Sequence, residues 1–320
     1  MCDDASAVHD ADDAPGIAAG PHGHHHPHAP ADPSGHPRIG IVGAGRAGTS
    51  LGLAFSRAGW PVAAVASRDA GRRARFVALV PGVHAFESAT ELLEEVDLIF
   101  LAVPDDAVSR VAAGIRLYGG QAIVHTSGAL PASALDGARA AGTAAASFHP
   151  LVAMVDPERA VEDFRGATVA IEGDEAVLPL LAELATAIGA QPVRLPPGGK
   201  PAYHAAAVLA AGGFIGLLDA IAEVARGAGL DEAGALAVYG PLIRQSLANA
   251  ETHGIAAALT GPLARGDRGT VAAHLEVMRR LAPGALELYI AVARREIAIA
   301  EGRGDLTAER ADELRTLLDR

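Results

Sequence analysis

The stretch from Arg38 to Gly48, reading Arg-Ile-Gly-Ile-Val-Gly-Ala-Gly-Arg-Ala-Gly, limits what this chain can fold into more than any other. Gly43, Gly45 and Gly48 form G-x-G-x-x-G at the exit of a short apolar run. A helix-forming segment, Thr49 to Ala58, follows at once and stops at Gly59, and Val62 to Ala66 reads as a second strand. A strand, a glycine turn and a helix in that order make a phosphate cradle. The first glycine permits the tight turn, the second lets backbone approach a pyrophosphate, and the third brings helix and strand together. The backbone of Gly43, Ala44, Gly45, Arg46, Ala47 and Gly48 is then the expected dinucleotide-binding loop, with the helix N-terminus offering free N–H groups and positive potential.

From Arg38 to about Leu195 the pattern keeps alternating between strand and helix, which implies an α/β domain with a parallel sheet covered on both faces. The strand candidates are 38–42, 62–66, 97–103, 122–125 and 144–148, with a further pair, 168–172 and 192–195, around a helix near 175–188. Ligands in such sheets lie beyond the carboxyl ends of the strands. Those ends carry the glycine loop, Ser67-Arg68, Val103-Pro104-Asp105, His125-Thr126-Ser127-Gly128 and Phe148-His149-Pro150. Beyond the linker Leu195-Pro196-Pro197-Gly198-Gly199 the strands cease and helical periodicity runs to the end. Three segments result: a tail, 1–37; the sheet domain, 38–196; and an all-helical domain, 197–320.

The end of the second strand selects the nicotinamide dinucleotide. A site for NAD usually places Asp or Glu there, to bind ribose hydroxyls. This chain has Ser67-Arg68, with Arg72 and Arg73 within reach, and a guanidinium suits a 2′-phosphate. NADP is therefore preferred over NAD. Asp69 stands one position late and keeps a ribose contact open. Val103 and Pro104 close the other side of the cofactor edge.

The chain holds a single lysine, Lys200; every other Lys or Arg among the 26 is arginine. A bias toward arginine leaves lysine where a removable proton is useful, because arginine stays charged and an ammonium shifts its pKa readily. Lys200 precedes Pro201, a favoured first-turn residue, so it belongs at the positive end of a helix dipole that lowers its pKa. His204, one turn on, shares its face. A surviving surface lysine is the plainer alternative. His125 and His149 end neighbouring strands and are either proton donors or loop-satisfying imidazoles. Ser127 and Gly128 offer a hydroxyl and a bare backbone to a carboxylate or carboxamide. No cluster in the folded region has metal-ligand spacing, and no metal is expected there.

Composition excludes other classes. A formal net charge of −12 and the lack of a basic track argue against nucleic acid. The one cysteine, Cys2, permits no internal disulfide and suits a reducing cytoplasm. The acidic N-terminus has no apolar signal region. The apolar run Ala205 to Leu218 is short for a bilayer, so a soluble protein without membrane contact is expected. The tail holds seven of thirteen histidines and reads as disordered, with loose metal binding by His22 to His28 as an incidental property. The Ala/Leu/Val-rich helix from Pro201 to Arg226 suggests a homodimer.

With these residues in view, the chain resembles the Rossmann-like family whose C-terminal half is the domain of unknown function 2520. Six stretches carry the resemblance: Gly40 to Gly48, Val103 to Asp106, His125 to Leu130, Ser147 to Leu151, Lys200 to Ala206, and Leu259 to Asp267. The family is similar to ketopantoate reductases, pyrroline-carboxylate reductases and 6-phosphogluconate-type dehydrogenases, which pair a Rossmann domain with a helical one. In ketopantoate reductases a lysine opens the first long helix of the second domain and protonates the substrate oxygen. The resemblance implies the same place for Lys200, with His204 where an Asn often stands, and frees Arg265 to bind a substrate carboxylate. One departure is Ala211-Gly212, where relatives usually show Ser-Asn. The expectation is an NADP-dependent oxidoreductase that reduces a small anionic carbonyl or imine, a 2-oxo acid such as ketopantoate first. A non-catalytic NADP(H)-binding redox sensor is the alternative.

Overall fold

The computed structural model describes residues 35–139 and 143–320. The histidine-rich tail, with its expected disorder and loose metal binding, lies outside the described residues apart from Gly35 to Pro37. The chain divides into two compact units, one ending at His204 and one from Ala205 to Arg320.

The first unit alternates as β1 (Ile39–Val42), α1 (Arg46–Arg57), β2 (Val62–Ala66), α2 (Ala70–Leu79), β3 (His84–Phe86), β4 (Leu98–Leu101), α3 (Asp105–Ala113), β5 (Ala122–His125), α4 (Asp136–Arg139), β6 (Ala144–Pro150), α5 (Pro157–Asp163), β7 (Thr168–Gly173), α6 (Leu178–Ala187) and β8 (Gln191–Arg194), and it ends within α7 (Lys200–Val208), at His204. One sheet holds every strand, in the order β3-β2-β1-β4-β5-β6-β7-β8. The order reverses between β1 and β4, which is where such sheets open a ligand crevice. Side-chain alternation splits the core in two. Ile41, Phe100, Val124, Phe148 and Ile171 pack one face, against α1, α5 and α6. Val42, Leu101, Ile123 and Ala145 pack the other, against α3.

Two features of the sheet were not expected. β3, an exposed three-residue edge strand, carries no apolar run to announce it. β7 pairs antiparallel with β6, and β8 follows β7 in parallel. The cause is the length of α5. Its seven residues rise about 10 Å, too little to carry the chain back along the sheet. The Leu151 N–H donates to Thr168 O at 2.8 Å, so β7 begins beside the end of β6.

α7 runs through a π-helical turn, Leu209–Gly213, into α8 (Phe214–Arg226). The departure Ala211-Gly212 falls within that turn, a form found often at functional positions. Together these residues make a 27-residue helix with a mean hydropathy of 2.0 over its most apolar window, of which 6% is buried. The helix is longer than the apolar run 205–218 and, by length and composition alone, is long and apolar enough to cross a membrane.

The second unit continues with α9 (Glu232–His253), α10 (Ile255–Ala258), α11 (Arg268–Leu281), α12 (Pro283–Arg303) and α13 (Ala308–Leu318), an all-helical unit. Its core gathers Leu263, Val271, Leu275, Ile297 and Leu314.

Candidate active site

The glycine loop follows β1 and opens α1. Gly43 has φ +110°, and a Cβ there would strike Ala102 O. A Cβ on Gly48 would strike Gly43 O, which is the close strand–helix contact the motif requires. Gly45 differs. It caps α1 at φ −78° with no side-chain hydrogen bond, and a Cβ there would meet nothing within 4 Å. The fold demands the outer two glycines; the middle one leaves the backbone open to a ligand. Gly45, Arg46, Ala47, Val103, Pro104 and Thr126 line a groove of about 1110 Å³ at the carboxyl ends of β1, β4 and β5. The cradle and the uncapped helix N-terminus fit a pyrophosphate.

The guanidinium groups are distributed unevenly. Arg72 and Arg75 line the groove, whereas Arg73 turns back to donate to Ser67 O. Arg68 is exposed and Ser67 half-buried, both just past β2. Asp69 accepts from Arg72 N at 3.0 Å as the N-cap of α2, and that backbone hydrogen bond holds its carboxyl below the usual range.

At the ends of β5 and β6 a polar cluster forms. His125 is fully buried, with Nε2 3.1 Å from Pro131 O, while its Nδ1 accepts from Ser127 N at 3.2 Å. Those partners assign the proton to Nε2. Burial, reinforced by Lys200, pushes its pKa down to about 4. His125 therefore stays neutral and braces its own loop. Ser127 Oγ accepts from Ala129 N and Leu130 N at 3.2 and 3.0 Å, and Ser127 O accepts from Lys200 Nζ at 2.7 Å. His149 is half-buried and lines the groove. Its Nδ1 lies 3.4 Å from Tyr203 Oη, and its ring centroid 5.9 Å from that of His204. Burial, with help from Lys200 and His204, lowers the His149 pKa to about 4.

Gly128 lies where these imidazoles converge. A Cβ on it would come within 2.7 Å of His149 Nε2 and closer still to His204 Nδ1. His204 Nδ1 is buried and has no hydrogen-bond partner.

Lys200 is completely buried. Its pKa falls to about 8, with burial as the main cause and Glu172 and Asp105 opposing. The expected route through the helix dipole is secondary to desolvation. Residues through His204 belong with the sheet unit, eight positions beyond the expected boundary at 196, because Lys200, Tyr203 and His204 pack on the strand ends.

Arg265 belongs to the second unit and is exposed. Gly266, at φ +69°, and Asp267, the N-cap of α11, account for the rest of that triplet. Three residues escaped the sequence reading. Val152 and Met154 line the groove from the apolar stretch after β6, a run that Asp156-Pro157 ends with a helix-start signal. Tyr203 adds a phenol whose pKa burial raises to about 12.

Residues 30–150 match the model of a Rossmann-like domain, and residues 167–296 match the domain of unknown function DUF2520. No protein of curated function matches in sequence. Among solved structures, protein TM1727 from Thermotoga maritima is 24% identical, over 83% of this chain and 99% of that one, with a TM-score of 0.64. Protein BF3122 from Bacteroides fragilis, described as a candidate NADP oxidoreductase, is 22% identical over 83% and 98%, with a TM-score of 0.65. An imine reductase from Myxococcus stipitatus (V8 variant, in complex with NAD+) is 21% identical over 87% and 98%, with a TM-score of 0.61. These likenesses are of fold.

Proposed function

We infer that this chain, a Rossmann-like domain joined to DUF2520, is an NADP-dependent oxidoreductase acting on a small carbonyl or imine. The observation that carries the reading is the juxtaposition at one sheet edge of an open glycine cradle and a completely buried lone lysine. The backbone of Gly45, Arg46 and Ala47 would hold the pyrophosphate, and Arg68, Arg72 and Arg75 would meet the 2′-phosphate. When bound, NADPH supplies a hydride to the substrate carbon.

The chain's own residues supply the proton and the position. With a pKa of about 8, Lys200 holds a proton at Nζ near neutral pH and can release it. Ser127 O occupies one of its three donor directions and fixes the amine. His204 Nδ1 is free to hydrogen-bond the substrate, and His149, held by Tyr203, sits beside it. Ser127 Oγ, already accepting two backbone N–H groups, retains its own proton to donate to a carboxylate. An anionic substrate suits this set of donors, so 2-oxo acids, with ketopantoate first, and cyclic imines are the compounds to try.

We propose also that the protein is a homodimer, through the exposed apolar side chains of its second unit: Val208, Leu209, Phe214, Ile215, Leu242 and Leu247.

The test is NADPH oxidation with that panel, wild type beside Lys200→Ala. A placed acid contributes about 10² to 10⁴ in rate, so the variant should lose that much turnover while binding NADPH nearly unchanged. Near-wild-type turnover in the variant would remove Lys200 from the mechanism. NADPH binding without oxidation of NADPH by any compound would favour the sensor.

A further inference from the structure

Three nitrogen-bearing side chains of the sheet unit meet at the Ser127–Gly128 peptide. Lys200 Nζ donates to its carbonyl, Ser127 O, at 2.7 Å. On its other side Gly128 faces two imidazoles. A Cβ there would lie 2.7 Å from His149 Nε2 and 2.9 Å from its Cε1, and closer still to His204 Nδ1. The φ of Gly128 is not in the left-handed region, so space rather than backbone conformation calls for glycine. The Nε2–Cε1 edge of His149, in the wall of the groove, and the unpartnered His204 Nδ1 are thus turned to one place.

At its other nitrogen His149 meets Tyr203. Nδ1 lies 3.4 Å from Tyr203 Oη, and the rings stand edge to face, 5.7 Å apart at 89°. A neutral imidazole has a single N–H, whose place decides whether His149 offers a donor or an acceptor over Gly128. Burial raises the phenol to about 12 and lowers the imidazole to about 4, so near neutral pH the first keeps its proton and the second gains none. A phenol is the better donor of the two and a bare imidazole nitrogen the better acceptor. The hydroxyl proton therefore points at Nδ1, and the ring proton is left on Nε2. His125 carries its proton on the same nitrogen, but its own loop occupies both ring positions.

We propose that Tyr203 is a positioning residue: its phenol donates to His149 Nδ1 and fixes the tautomer that presents Nε2–H over Gly128, as a donor to the heteroatom of a substrate C=O or C=N group. A neutral imidazole in that tautomer polarises such a bond without giving up its own proton, which leaves proton delivery to Lys200. This use of the tautomer rests on the reductase reading above; the tautomer itself does not.

The test begins without any substrate. In full-length protein labelled with ¹⁵N-histidine, the ring ¹⁵N shifts separate protonated from bare nitrogens, and loss of signals in His149→Gln identifies those of His149. At neutral pH the wild type should show Nε2 protonated and Nδ1 bare, and Tyr203→Phe should show a mixture of tautomers. A wild-type proton on Nδ1, or an unchanged tautomer in Tyr203→Phe, overturns the proposal. The wild-type spectrum decides alone if Tyr203→Phe does not fold. With any compound that the wild type reduces, Tyr203→Phe should lower kcat by about fivefold, the worth of one hydrogen bond, with KM and NADPH binding nearly unchanged. A loss confined to KM or to melting temperature would make Tyr203 merely structural and overturn the role. If no compound is reduced while the tautomers behave as stated, the reductase reading fails and the positioning of His149 stands. If NADPH is oxidised and the tautomer ignores Tyr203, the reductase reading stands and the positioning fails.

Discussion

At the scale of single residues, the three motif glycines separate into two that the packing requires and one that it does not. Gly48 meets backbone that cannot yield, and Gly45 faces open space at a φ any residue tolerates. Gly48→Ala should therefore lower the melting temperature, while Gly45→Ala should melt like the wild type. Gly45→Ala should weaken NADPH binding by about tenfold or more, roughly 1.4 kcal/mol, measured by fluorescence titration. Wild-type affinity in Gly45→Ala would mean that the backbone there approaches no phosphate. The motif was legible in the sequence because three small residues at fixed spacing have few other uses. Which of the three serves the ligand was not, because that depends on Ala102, more than fifty residues away in the chain.

At the scale of an element, the loop from His125 to Pro131 is braced by the imidazole that opens it. The pKa of His125 is about 4 in the fold, against 6.5 unperturbed, and His149 behaves alike. Between those values the unfolded chain takes up protons that the folded one refuses. Stability should then be fully present above pH 6.5 and fall as pH drops toward 4, by roughly 3 kcal/mol for each imidazole. Denaturant midpoints across that range should fall less steeply in His125→Gln than in the wild type, whatever its starting stability. Equal slopes would mean that His125 is protonated in the folded loop. Both histidines were visible as strand-end residues; their division into brace and groove wall was not. That division follows from whether Pro131 O or Tyr203 Oη lies within reach. Likewise β1, β2 and β5 announced themselves by apolar runs, whereas the reversal at β7 came from the shortness of α5.

At the scale of the whole molecule, the second unit exposes Leu209 at 72% and Ile215 at 64%. This is the apolar surface that the proposed dimer would bury. The wild type should sediment as a dimer, and Leu209→Glu with Ile215→Glu should shift it to monomer. A wild-type monomer would overturn the dimer, and flotation with lipid vesicles would assign the same helix to a membrane surface instead. By itself the sequence determined the alternation of strand and helix, the glycine cradle and the change to an all-helical second unit. Periodicity and turn chemistry are local, and local spacing is enough to encode them. Only the tertiary structure decided the direction of β7 and the place of Lys200 with the sheet unit. Each depends on strands distant in sequence lying 4.7–4.9 Å apart, and on desolvation, which no residue has until the chain has closed around it.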